Sequence, residues 1–176
     1  MSDPSLPPKP AHRPRMVHPA KSPRGKIKTH QRGGYMFKHI LVAYDGSPVS
    51  RKALDAAIEL GKMVGANLSI VSVEEYVPHF PGDIGEVRGE KELQNGYCSK
   101  LQREALEIAK ANGLHFYRSD ILLGHVAKSI VEHAKKIQCD LIVLGHRGRS
   151  GVWAGFLGTT AEKVSRHAHC SVMIIR

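Results

Sequence analysis

The chain has 176 residues, 41% hydrophobic and 24% charged, with a formal net charge of +10, a balance that suits one soluble globular domain with a substantial core. No apolar run approaches the ~20 residues of a membrane span, and the basic N-terminus lacks the apolar segment of a secretory signal, so a cytoplasmic protein is expected. Three cysteines, Cys98, Cys139 and Cys170, are an odd number without close spacing, which fits reduced thiols better than a disulfide frame.

The charge is concentrated at one end. Residues 1–35 carry Lys9, Arg13, Arg15, Lys21, Arg24, Lys26, Lys28 and Arg32 against Asp3 alone, leaving only +3 of the +10 for residues 36–176. The same segment holds seven of the ten prolines and too few large apolar residues to offset the entropy of ordering, so 1–35 is expected to be a disordered, basic, Pro-rich extension. One reading is an electrostatic arm for nucleic acid or an acidic surface. The favoured reading is a dispensable extension ahead of Met36, since no aromatic residue for base stacking precedes Tyr35.

From Phe37 strand and helix patterns alternate. Phe37 to Ala43 reads as a strand; Ser47-Pro48 offers an N-cap followed by a proline in the first helical turn. Ala53, Leu54, Ala57, Ile58 and Gly61 recur at helical spacing, and Gly65 can end that helix. Leu68 to Val73 reads as a second strand, and the Pro- and Gly-rich stretch Val77 to Gly89 as a long loop. Leu93, Tyr97, Leu101, Ala105 and Ile108 mark a second helix ending near Gly113, with Cys98 on its core side. Phe116 to Leu123, Leu141 to Leu144 and Val172 to Ile175 complete five strands, and Val126 to Lys136 and Ala161 to His167 complete four helices. This order predicts an α/β fold: an open five-stranded parallel sheet with helices on both faces, Rossmann-like, with ligands bound beyond the C-terminal strand ends.

Two loops fall at those ends. Tyr44-Asp45-Gly46-Ser47 follows the first strand, and Gly145-His146-Arg147-Gly148, nine residues and then Gly158-Thr159 follow the fourth. Glycines admit an anion close to backbone N–H groups, a helix start supplies unpaired N–H groups carrying about half a positive charge, and Thr159 and Thr160 add hydroxyl donors. If the first and fourth strands are neighbours the loops face each other, and Asp45 can hold a ribose opposite a phosphate loop; a turn or cap role would equally suit it.

Taken together, Phe37 to Ser47, Gly124 to Ile130, Cys139 to Gly145 and Cys170 to Arg176 resemble the universal stress protein family, over residues 36–176. Gly145, Gly148, Gly158 and Thr159 meet in full the G-x2-G-x9-G-[S/T] pattern of the family's ATP-binding branch. The resemblance implies the adenine-nucleotide-binding version of the fold and ATP as ligand, with AMP or ADP as alternatives and Mg2+ as a companion ion. It implies that Ala43, Tyr44, Asp45 and Val73 line the adenine and ribose, Asp45 bonding the ribose hydroxyls, and that Gly148 to Thr160 enclose the phosphates. Gly145, His146, Arg147 and Arg149 complete the candidate set. One departure is Ser171, where the family usually has a proline.

Other chemistries fit less well. A Walker A loop needs a lysine before its final Ser/Thr, and Gly158 stands there; no G-x-G-x-x-G follows the first strand. His133, His167, His169 and Cys170 lack zinc-site spacing, and the histidines read as surface or cap residues. Trp153 can either cover a ligand or pack beneath the loop. The expected protein is a dimeric ATP-binding stress-response switch, paired with its copy through the apolar edge strand in 170–176. The competing readings are a slow ATPase or phosphotransferase using the same pocket, with His146 as the only base in that loop, and a nucleic-acid-associated module working through the tail.

Overall fold

The computed structural model describes residues 36–75, 86–149 and 157–176, with the side chains of 86–95 left aside. The basic extension, most of the loop expected at 77–89, and Trp153 lie outside the described residues. The elements run β1 (His39–Ala43), α1 (Pro48–Val64), β2 (Asn67–Glu74), α2 (Glu86–Ala111), β3 (Arg118–Leu123), α3 (Val126–Lys136), β4 (Leu141–Gly145), α4 (Thr159–His167) and β5 (Ser171–Ile175). All five strands are parallel, in the order β3-β2-β1-β4-β5. The fold is α/β and Rossmann-like, as the alternating pattern predicts.

Local chemistry explains the boundaries. Ser47 caps α1, its Oγ accepting from Ser50 N at 3.2 Å, Pro48 occupies the first turn, and Gly65 closes the helix at φ 68°. Several limits differ from expectation, with β1 beginning at His39 rather than Phe37 and β3 at Arg118 rather than Phe116. Glu86 to Gly89 belong to α2 rather than to a loop, because a charged helix start carries no apolar period to read. Likewise α4 begins at Thr159, two residues before Ala161, since first-turn polar residues are outside the buried stripe.

Alternation along the strands divides the core. Ile40, Val42, Leu68, Ile70, Leu141 and Val143 pack against Leu54 and Ile58 of α1 and Leu101 and Ala105 of α2. Leu41, Val71, Ile142 and Leu144 pack against Ile130 and Ala134 of α3 and Ala161 and Val164 of α4. Burial on both faces is why these strands read as continuous apolar runs. At the N-terminal strand ends Asp140 joins three strands: its carboxylate accepts from Lys38 N at 2.7 Å and His39 N at 3.2 Å, and its backbone oxygen accepts from Ser171 N at 3.3 Å. A proline at 171 could not donate that last bond.

The β2–β3 side carries polar contacts on both faces of the sheet, to α2 on one and α3 on the other. Gln102 donates to Ser72 Oγ at 3.0 Å and accepts from Ser119 Oγ; His133 Nε2 lies 3.2 Å from Asp120 Oδ2, misaligned for a hydrogen bond. His133, expected at the surface or at a cap, is 6% exposed, because the hydrophobic period of α3 turns its third turn toward the sheet. Burial lowers the pKa of both His133 and His39 from 6.5. The unfolded chain therefore takes up protons first, so stability is intact above about pH 6.5 and is lost as pH falls below it. Thermal denaturation should show a lower Tm at about pH 5.5 than at about pH 7.5, and His133→Gln should shrink that difference.

Candidate functional site

Pairing of β1 with β4 brings the ends of the two strands, Ala43 and Gly145, to the same C-terminal edge of the sheet. A cleft of about 570 Å³ opens there, within the range of small-molecule sites. Ala43, Tyr44, Asp45, Val73, Gly145, Arg147, Gly148, Arg149, Gly158, Thr159 and Thr160 all line it. His146 does not. Its backbone N–H donates to Ile175 O at 2.7 Å and its ring Nδ1 lies 3.1 Å from the same oxygen, so the residue stitches the end of β4 to β5. Sequence spacing could not see this, because it depends on which strand lies next to β4.

One wall is polar and rich in donors. Gly158 is the N-cap of α4, with no side-chain cap, and the first intrahelical bond runs from Glu162 N to Gly158 O at 2.9 Å. The N–H groups of Thr159, Thr160 and Ala161 thus precede the helical ladder and carry its positive end into the cleft. Val71, Val73, Val126, Ile130 and Leu144 form the apolar wall. Val73 was expected there; Val71, Val126, Ile130 and Leu144 had been legible as element positions but not as cleft, since a strand's last core residue and its first cleft residue look alike in sequence. Glu75 adds a carboxylate at the end of β2.

Asp45 ties the two loops together. Its Oδ1 accepts from Ser47 N at 3.0 Å, the Asx-turn role, and its Oδ2 accepts from Arg149 N at 3.2 Å across the cleft. Tyr44 lines the cleft as a fixed wall: the residue is 2% exposed, its N–H donates to Val71 O at 2.9 Å and its C=O accepts from Ser72 Oγ at 2.8 Å. Tyr97 of α2, read from sequence only as helix periodicity, reaches the mouth. Its hydroxyl donates to Asp45 O at 3.3 Å, and the Arg149 guanidinium sits 4.9 Å from its ring centroid. Gly46, at φ +80°, lets α2 settle over the turn with Leu101 and Tyr97 against it.

The loop glycines have individual steric reasons. A Cβ on Gly145 would lie 3.1 Å from the backbone of Ser50 and Arg147, one on Gly148 would lie 2.8 Å from Asp45 Oδ2, and one on Gly158 would lie 3.0 Å from His146 O. Gly158 also donates to His146 O at 2.8 Å, folding the arch back onto its own start. The spacing of the motif thus records close backbone approaches at Gly145 and Gly158 and the seat of the Asp45 carboxylate at Gly148. The profile of the universal stress protein family matches residues 36–176.

The chain belongs to the universal stress protein family. It is 38% identical over 155 residues to the universal stress protein YxiE of Bacillus subtilis, covering 80% of this chain and 100% of that one. The solved universal stress protein UspA from Lactobacillus plantarum superposes with a TM-score of 0.70 at 25% identity, covering 79% of this chain and 97% of the other. A universal stress protein solved in complex with cAMP has a TM-score of 0.62 at 26% identity, covering 80% and 97%.

Within this universal stress protein no group of three or more His, Cys, Asp or Glu side chains converges among the described residues, and no described helix is long and apolar enough to cross a membrane. The sign of glycine substitutions should separate the loop from the scaffold. By chemical denaturation, Gly158→Val should cost about 1–3 kcal/mol through overpacking against the His146 and Arg147 backbone. Gly96→Ala on α2, where a Cβ meets nothing within 4 Å, should instead stabilise by about 0.5–1 kcal/mol.

Proposed function

We propose that this universal stress protein binds an adenine nucleotide in the β1–β4 cleft and serves as a nucleotide-dependent stress-response switch in the cytoplasm. The observation that carries the reading is the pairing of opposites in one cleft. Unpaired N–H groups and hydroxyls at the start of α4 face phosphate, an aliphatic wall suits a base, and Asp45 stands between them where a ribose would present its hydroxyls. A relative of the same fold solved with cAMP supports the ligand class. ATP is the proposed ligand because Gly145, Gly148, Gly158 and Thr159 meet the full ATP-branch pattern.

The residues fit such a ligand. Gly148, Thr159 and Thr160 would hold the phosphates through N–H and hydroxyl donors, Arg147 and Arg149 would offset their charge, and Ala43 and Val73 would contact the base. Mg2+ would arrive with the triphosphate, its open positions filled by phosphate oxygens and water. Binding without rapid turnover is the expected behaviour: His146, the base assigned to this loop from sequence, is bonded at Ile175 instead. We also propose that residues 36–176 are the functional unit, that the 1–35 extension is dispensable for nucleotide binding, and that β5, an edge strand of apolar residues, pairs with its copy in a dimer.

Calorimetric titration with ATP, ADP, AMP and cAMP tests the first claim. Saturable 1:1 binding of at least one is expected, with a thermal stabilisation equivalent to about 2.7 kcal/mol at a hundredfold excess over Kd; no binding of any would overturn it. Tyr97→Ala, which removes the ring contact that Arg149 gives up to reach phosphate, should strengthen ATP more than AMP, by roughly 0.5–1 kcal/mol. A chain beginning at Met36 should keep the ATP affinity and Tm of the full chain.

A further inference from the structure

We propose that Cys139 and Cys170 form an oxidisable dithiol that closes to an intramolecular disulfide when a hydroperoxide oxidises Cys170. The two residues are 31 positions apart in sequence, yet their sulfurs lie 3.9 Å apart. The proximity follows from the sheet: Cys139 immediately precedes Asp140 and β4, Cys170 immediately precedes Ser171 and β5, and Leu141 is registered with Ser171. The backbone bond from Ser171 N to Asp140 O, 3.3 Å long, fixes that register directly beside the pair. An odd number of widely spaced cysteines gives no sign of this in the sequence.

The two thiols are unequal. Cys139 is 3% exposed and packed in the α3/α4 core, whereas Cys170 is only half-buried and precedes its strand, so an external oxidant reaches Cys170 first. Burial raises both thiols, so the pair is sluggish toward weak oxidants; hydrogen bonding from the Cys139 thiol favours the Cys170 thiolate and partly offsets this. The hydroperoxide transfers one oxygen to Cys170, giving its sulfenic acid and one alcohol or water. The Cys139 sulfur then attacks the sulfenic sulfur, and the hydroxyl departs as water with the Cys139 proton. Two thiols and one hydroperoxide thus give one disulfide, one alcohol or water, and one water.

Contraction from 3.9 Å to the ~2.05 Å of a disulfide requires a change in side-chain torsion. The bond would close a loop containing β4, the cleft loop and α4, and would anchor the start of the edge strand β5. It lies at the sheet end opposite the cleft and precedes the apolar run Val172–Ile175. Cys98 is excluded: it is 6% exposed on the core side of α2 and its thiol is pushed up to about 11.

The test is hydrogen peroxide treatment of the full chain in native buffer, alkylation of remaining thiols after denaturation, and peptide mass spectrometry without reduction. The expected result is a Cys139–Cys170 linked peptide with Cys98 alkylated, and a Tm higher by roughly 5–10 °C in the oxidised protein. Cys139→Ala should stop at a dimedone-trappable sulfenic acid on Cys170, and Cys170→Ala should leave Cys139 and Cys98 reduced. Three free thiols after treatment, a Cys170 bond to a second chain, or a linked protein with unchanged or lower Tm would each overturn the proposal.

Discussion

The parallel pairing of β1 with β4, Ile40 with Leu141, Leu41 with Ile142 and Val42 with Val143, is the constraint on which the rest of the molecule depends. It is where strand order reverses, since the chain leaves β1 toward β2 on one side and returns through β4 on the other. Crossovers to opposite sides leave a gap between the loops that follow the two strands, and a doubly wound sheet has no other place where its loops diverge in this way. The pairing is secured at both ends by aspartates. Asp140 fastens the strand starts through Lys38 and His39, and Asp45 fastens the loops beyond the strand ends through Arg149.

The second aspartate links structure to proposed function. Its carboxylate has two oxygens, one engaged by its own turn and one by the opposite loop. A ribose that draws Asp45 toward its hydroxyls competes with the Arg149 amide for the second oxygen, while phosphates at Thr159 and Thr160 attract the Arg149 side chain from its place over Tyr97. On this reading nucleotide binding replaces one set of contacts across the mouth with another. The change is confined to α2, the β1 loop and the β4 loop, which gives a switch local surfaces to alter without disturbing the aliphatic core.

Much of the fold was legible because the central strands are buried on both faces and read as runs such as Leu141-Ile142-Val143-Leu144. The glycine motif was legible because backbone proximity excludes side chains whatever the neighbours are, and Gly145, Gly148 and Gly158 each face an atom at 2.8–3.1 Å. What sequence could not give was lateral placement. His146 was assigned to the cleft from its position in the loop, but β5 lies next to β4 and takes it. Tyr97 looked like one more apolar helix position, and only the turn at Gly46 brings it over Asp45. His133 was read as a surface or cap residue because it lacks zinc-site spacing, whereas here it is buried beside Asp120 of β3. Cys139 and Cys170 became a pair only through the β4–β5 register.

The central claim is that the start of α4 and the Asp45 loop together hold an adenine nucleotide, and amide-resolved NMR during an ATP titration tests it most directly. The account predicts saturable shifts at the N–H groups of Gly148, Arg149, Thr159, Thr160 and Ala161, with Ser47 responding as Asp45 rearranges and β3 unmoved. Shifts confined to residues 1–35, or no shift at the α4 start under saturating ATP, would contradict it.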